Sequence, residues 1–167
     1  MSKFMAFGVE AEFIKEVLDQ QAAKDVAVGD AKSRSSVVRR SERIADLAAG
    51  TKILLVNDVS KEMDAVTSML GRLGMLVTIA TDSDAAIEQL KKSYFDAIIF
   101  DMRRHGVADE GTRFLQRSLR EGVARPNIFT VGDYHPEKGT PAYAFGITNR
   151  VDELMHYVFD VVERYRE

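Results

Sequence analysis

The sequence predicts an α/β protein built on a parallel, doubly wound sheet, and three observations carry that expectation. First, Lys52-Ile-Leu-Leu-Val-Asn57 and Phe95 to Phe100 are short, continuous apolar runs, as strands covered on both faces require. Second, segments with helical apolar spacing separate these runs from one another. Third, strands joined through helices imply right-handed crossovers, hence parallel pairing with helices on both faces.

The elements follow in order. Residues 1–50 read as a helical extension of two helices, and residues 51–167 as the α/β domain. Val9 to Val26 has Phe13, Val17, Leu18 and Ala22 along one stripe, which predicts a first helix. Gly29 to Ser36 is a polar break. Ser35 or Ser36 suits the cap of a second helix, Val37 to Ala49, with Gly50 as its stop. Its apolar stripe is Val37, Val38, Ile44, Leu47 and Ala48. Two such helices cannot bury a core alone, so they must pack on the rest of the chain, on a second copy, or on a partner. After the first strand, Ser60 can cap a helix to Leu73 with Val66, Met69, Leu70 and Leu73 inward. Met75 to Ala80 is a strand, and Asp82 or Ser83 opens a helix to Lys92. The third strand ends in Asp101. A helix from Thr112 to Glu121, a strand from Asn127 to Val131, a short strand from Phe145 to Thr148 and a helix from Asp152 to Arg164 complete the pattern.

Composition narrows the function. With 167 residues and 46% hydrophobic residues, a core forms without disulfides. There is no cysteine, which excludes thiolate metal sites and cysteine nucleophiles and fits a reducing, cytoplasmic setting. A net charge of −3 does not mark a nucleic-acid binder. The opening residues do not read as a signal peptide, and no stretch approaches the ~20 apolar residues that span a bilayer. No glycine pattern resembles a phosphate-binding loop, and no serine–histidine–aspartate arrangement has a nucleophile elbow.

In open α/β sheets the site lies outside the carboxyl ends of the strands. Those ends carry Asn57-Asp58, Asp101, Thr130-Val131-Gly132-Asp133 and Thr148-Asn149-Arg150. Asp58 and Asp101 together suit a hard cation such as Mg2+, which takes one or two carboxylates plus waters. An aspartate beside Mg2+ can also act as a nucleophile toward phosphorus. Strand-end aspartates otherwise serve as helix caps, and a pair on the first and third strands favours a site over caps. Arg103, Arg104 and His105, just after Asp101, read equally as an anion contact or a solvated loop. Asp109 and Glu110 could pair with those arginines for little energy.

The runs ILLVND, TDSDAAIEQL and YFDAIIFDM resemble the receiver domains of two-component signalling, from Lys52 to the C-terminus. The resemblance implies a five-stranded sheet in the order 2-1-3-4-5 and a protein that is not an enzyme. It places Asp101 at the phosphoacceptor position. It places Asp58, Asp101 and the backbone carbonyl of Arg103 around Mg2+, bound weakly or not at all. Departures from the family pattern are specific. Asn57 replaces the first acidic residue, Val131 falls at the switch Thr/Ser position with Thr130 one residue away, and Asn149 and Arg150 replace the Lys-Pro pair. Pro136, Gly139 and Pro141 oppose a regular fourth helix. These features resemble an atypical receiver subgroup in which Asp101-Met-Arg-Arg104 and Gly146 to Leu154 have counterparts.

Two readings result. One is a receiver without a DNA-binding output domain, phosphorylated on Asp101 by a histidine kinase or a small phosphodonor and acting by protein–protein contact. The other is a phosphorylation-independent pseudo-receiver scaffold. In either, partners dock through the N-terminal helices or the face from strand four to the last helix, and a homodimer through the N-terminal helices is one such arrangement.

Overall fold

The computed structural model describes residues 3–24, 28–57, 63–102, 109–132 and 143–165. Helix α1 (Lys3–Ala23) and helix α2 (Ala31–Ala48) precede an alternating series. That series is β1 (Lys52–Val56), α3 (Asp64–Arg72), β2 (Leu76–Ala80), α4 (Ser83–Lys92), β3 (Ala97–Asp101), α5 (Asp109–Arg120), β4 (Asn127–Thr130), β5 (Gly146–Thr148) and α6 (Val151–Tyr165). All neighbouring strands are parallel, in the order β2-β1-β3-β4-β5, as the sequence led us to expect.

Alternation along the strands divides the interior into two layers. Ile53, Leu55, Ala97, Ile99 and Ile128 face one side, where Val66, Met69 and Leu70 of α3 and Leu154, Val158 and Phe159 of α6 meet them. Leu54, Val56, Ile98, Phe100 and Phe129 face the other, against Ile87 and Leu90 of α4 and Phe114 of α5. The Phe100 ring lies 5.0 Å from that of Phe114 and meets Phe129 edge-on at 5.9 Å. Such pairs add to plain burial.

The helix pair joins the first layer. Ile14 and Leu18 of α1 and Val37, Ile44 and Ala48 of α2 are buried in the same cluster as α3 and α6. Of the stripe read for the first helix, Leu18 is fully covered, while Phe13, Val17 and Ala22 are half-buried. Arg72 of α3 stacks over the Phe13 ring at 4.3 Å. Helix α2 is fastened to α6 by Arg40, whose guanidinium lies 5.6 Å from the Phe159 ring centre. The same guanidinium donates to the His156 carbonyl at 3.1 Å and pairs with Asp160 and Glu163 at 2.5 and 3.2 Å. Both acids are about half exposed, so each pair contributes under about 1 kcal/mol. The apolar stripe does most of the holding.

The start of α2 corrects the sequence reading. Asp30, not Ser35 or Ser36, is the N-cap, accepting from the Ser33 amide at 2.9 Å. Most of the segment read as a polar break is therefore the first turns of the helix, whose polar side chains are exposed or, like Ser33 and Arg34, half-buried and hydrogen-bonded. Gly50 does end the helix, with a φ of 84° that suits glycine. Asp82 caps α4, accepting from the Ala85 amide at 2.8 Å. The Ser60 cap and the segment carrying Pro136, Gly139 and Pro141 lie outside the described residues.

Because α1 shares its buried layer with the sheet, Leu18→Ala is expected to lower the unfolding free energy of the whole chain by about 2–5 kcal/mol. Denaturant unfolding followed on the β-sheet signal checks this. An unmoved sheet transition would show that the extension folds apart from it.

Candidate functional site

Asp101 is the last residue of β3 and 8% exposed. It pairs in register with Thr130, which pairs in turn with Thr148. Paired residues on neighbouring parallel strands point to the same face, here the side of α3 and α6. The Thr130 hydroxyl donates to Asp101 Oδ1 at 2.8 Å, and both groups are buried. Asn57, 2% exposed, follows β1 and donates its backbone N–H to the Ala80 carbonyl at 3.0 Å.

The register places Thr130, rather than Val131, on the Asp101 side. Val131 packs half-buried against the opposite layer with Phe100 and Phe129. The sequence reading set Val131 at the switch position. Pairing with β3, a tertiary property, sets which of the two side chains faces Asp101.

Two clefts open at this end of the sheet. One brings Asp101 and Asn57 together with Asp82 and Glu110. Glu110, at the start of α5, was read from sequence only as a partner for nearby arginines. Its place beside Asp101 depends on how α5 returns to the sheet, which no motif announces. The second cleft, small and open to solvent, is lined by Thr130, Asn149, Arg150 and Gln21 of α1, among others. Gln21 was not legible as a site residue, since it enters from a helix outside the α/β pattern. Asp58, Arg103, Arg104, His105 and Asp133 lie outside the described residues.

Arg150 is tied to the start of α6. Its Nη2 lies 3.3 Å from Asp152 Oδ2 and 3.6 Å from Glu153 Oε2, with the side chain 43% exposed. Its backbone N–H donates to the Thr148 hydroxyl at 3.0 Å, turning the chain from β5 into α6. Asp152 itself is wholly buried. It accepts from the Gly29 N–H at 2.8 Å and from the Ser33 hydroxyl. Burial alone would raise its pKa, but the Ser33 and Gly29 hydrogen bonds and the Arg150 charge outweigh that and hold it below the ordinary value.

The donor chemistry fits a hard cation. A buried carboxylate, Asp101, and a neutral amide, Asn57, sit at one cleft with Glu110 at its wall. Oxygen donors of this kind suit Mg2+, which keeps several waters. Among the described residues no group of three or more acidic or histidine side chains converges tightly enough to hold a metal alone. No helix among them is long and apolar enough to cross a membrane.

No protein-family model and no curated protein matches the chain. Solved structures do. A Francisella response-regulator receiver domain is 20% identical with a TM-score of 0.59, covering 69% of this chain and 98% of that one. The chemotaxis response regulator CheY4 of Vibrio cholerae is 23% identical with a TM-score of 0.57, covering 68% and 99%. The Thermotoga maritima response regulator TrrA, solved in complex with Mg2+ and BeF, is 17% identical with a TM-score of 0.55, covering 66% and 98%. These likenesses establish a receiver fold.

Two outcomes are expected. Thr130→Val leaves Asp101 Oδ1 without its hydroxyl donor and should cost about 1–3 kcal/mol in urea unfolding, with Thr130→Ser retaining most of the stability. The depressed Asp152 carboxyl contributes stability that is full above about pH 4 and is lost as pH falls through its lower native value. Asp152→Asn should therefore lower the urea midpoint at neutral pH and narrow the gap between variant and wild type at about pH 3.

Proposed function

We propose that this chain is an atypical response-regulator receiver, a signalling module that accepts a phosphoryl group on Asp101 and acts through protein contact. The observation that carries the reading is the buried Asp101 carboxylate at the carboxyl end of the central strand, hydrogen-bonded by Thr130 and open to a cleft. In the proposed step a carboxylate oxygen of Asp101 attacks the phosphorus of acetyl phosphate or of a kinase phosphohistidine. An O–P bond forms, the bond to acetate or to the imidazole nitrogen breaks, and the departing group keeps the electron pair.

Mg2+, held by Asp58, Asp101 and the Arg103 carbonyl, would offset the charge brought together there. Asn57 in place of an acidic residue makes that hold weak. Asn149 and Arg150 take the place of a Lys-Pro pair, and the Arg150 guanidinium supplies the cation for the phosphoryl oxygens. Partners, a histidine kinase among them, meet the outer side of the N-terminal helices or the β4–β5–α6 edge. Metabolic turnover is not part of this reading.

One observation favours a second reading. Asn57 is a buried neutral amide at a site that elsewhere needs charge, and this suits a scaffold that works without phosphorylation. Intact mass after incubation with Mg2+ and acetyl phosphate separates the two. An adduct on the wild type and none on Asp101→Asn is the expected result. No adduct on either chain overturns the phosphoacceptor reading in favour of the scaffold.

A further inference from the structure

Hydrogen bonds, an ion pair and one shared cleft link Asp101 to the helices before the sheet. Thr130 donates to Asp101 at 2.8 Å. Thr130, Arg150 and Gln21 of α1 line one cleft. Arg150 pairs with Asp152 at 3.3 Å, and Asp152 accepts from Gly29 and Ser33. Gly29, just before α2, and Ser33, in its first turn, stand on the α2 side of the joint between α1 and α2. Arg34 closes the same joint, donating to the Gly29 carbonyl at 2.8 Å and pairing with Asp19 of α1 at 3.3 Å. The approach is close: a Cβ on Gly29 would lie 2.5 Å from Asp152 Oδ2.

We infer that the α1–α2 pair is a lid on the cleft lined by Thr130 and Arg150 beside the phosphoacceptor, seated on the Asp152 carboxylate and loosened when Arg150 turns to a phosphoryl group on Asp101. The inference rests on the phosphoacceptor reading above and adds to it an internal regulatory element.

Charge gives the direction. A phosphoryl group brings a charge of roughly −1.5 to −2 and several acceptor oxygens, which an arginine fork engages in preference to a single carboxylate. The Arg150 side chain is 43% exposed, free enough of packing to turn. Asp152 has no solvent exposure. When its cation leaves, its charge rests on the Gly29 and Ser33 donors and on the helix N-terminus alone. A buried charge that loses a partner weakens whatever keeps it buried, and here that is the seat of the helix pair. Gln21 moves with α1, so loosening also opens one wall of the cleft.

Hydrogen exchange of the full-length protein, before and after treatment with Mg2+ and acetyl phosphate, tests this, with intact mass read on the same samples. Protection of the amides from Gly29 to Arg34 is expected to fall roughly two- to fivefold with the adduct, the scale of one partly exposed ion pair. Protection in β1 and β3 should hold. Arg150→Gln, without phosphodonor, should show the same fall. An adduct with unchanged exchange at the joint overturns the lid alone. Unchanged exchange in Arg150→Gln overturns it as well. No adduct removes the phosphoacceptor reading and the lid together.

Discussion

Everything at the carboxyl edge of this sheet depends on β1, β3 and β4 being covered on both faces. Each buried strand residue has a partner layer, so a slip of one position would turn Asp101 and Thr130 to the face that Phe100 and Phe129 now fill and exchange the two apolar sets. Burying an unpaired carboxylate costs several kcal/mol, more than any local preference of a five-residue strand can return. The register is therefore fixed by the core, and the Asp101–Thr130 contact is a consequence of packing remote from it.

The N-terminal helices follow another logic. Their attachment is broad and apolar along Ile14, Leu18, Val37 and Ile44, and narrow and polar at Asp152. The apolar part sets how strongly the pair is held. The polar part sets where it sits, because a carboxylate with two specific donors tolerates only one placement of the joint. Burial and hydrogen bonding thus divide affinity from registration within a single contact surface.

Much of the architecture was legible because two-sided strands write a plain pattern. Ile53 to Val56 and Ala97 to Phe100 are apolar at every position, and the aspartate ending β3 stands out against them. The Asp82 cap was legible too, since a cap acts over a few residues. What escaped the sequence depends on distant segments. The apolar rhythm of α2 begins only at Val37, while its first turns are polar because they meet solvent and the polar seat at Asp152, so the true cap at Asp30 was hidden. The side to which Thr130 points comes from pairing with β3. Gln21 and Glu110 reach the clefts through topology alone, on helices whose own sequences carry no sign of a site.

The link between α2 and β1 is only Ala49, Gly50 and Thr51, and it is itself held, with the Gly50 N–H on the Gly74 carbonyl at 2.8 Å. A helix pair on so short a tether cannot diffuse away from the sheet. Its effective concentration at the α3–α6 surface stays high in every state, of the millimolar order expected for short linkers. Any molecule that binds that surface competes with a ligand the chain carries with it, and its apparent affinity is reduced by the fraction of time the helices occupy the face.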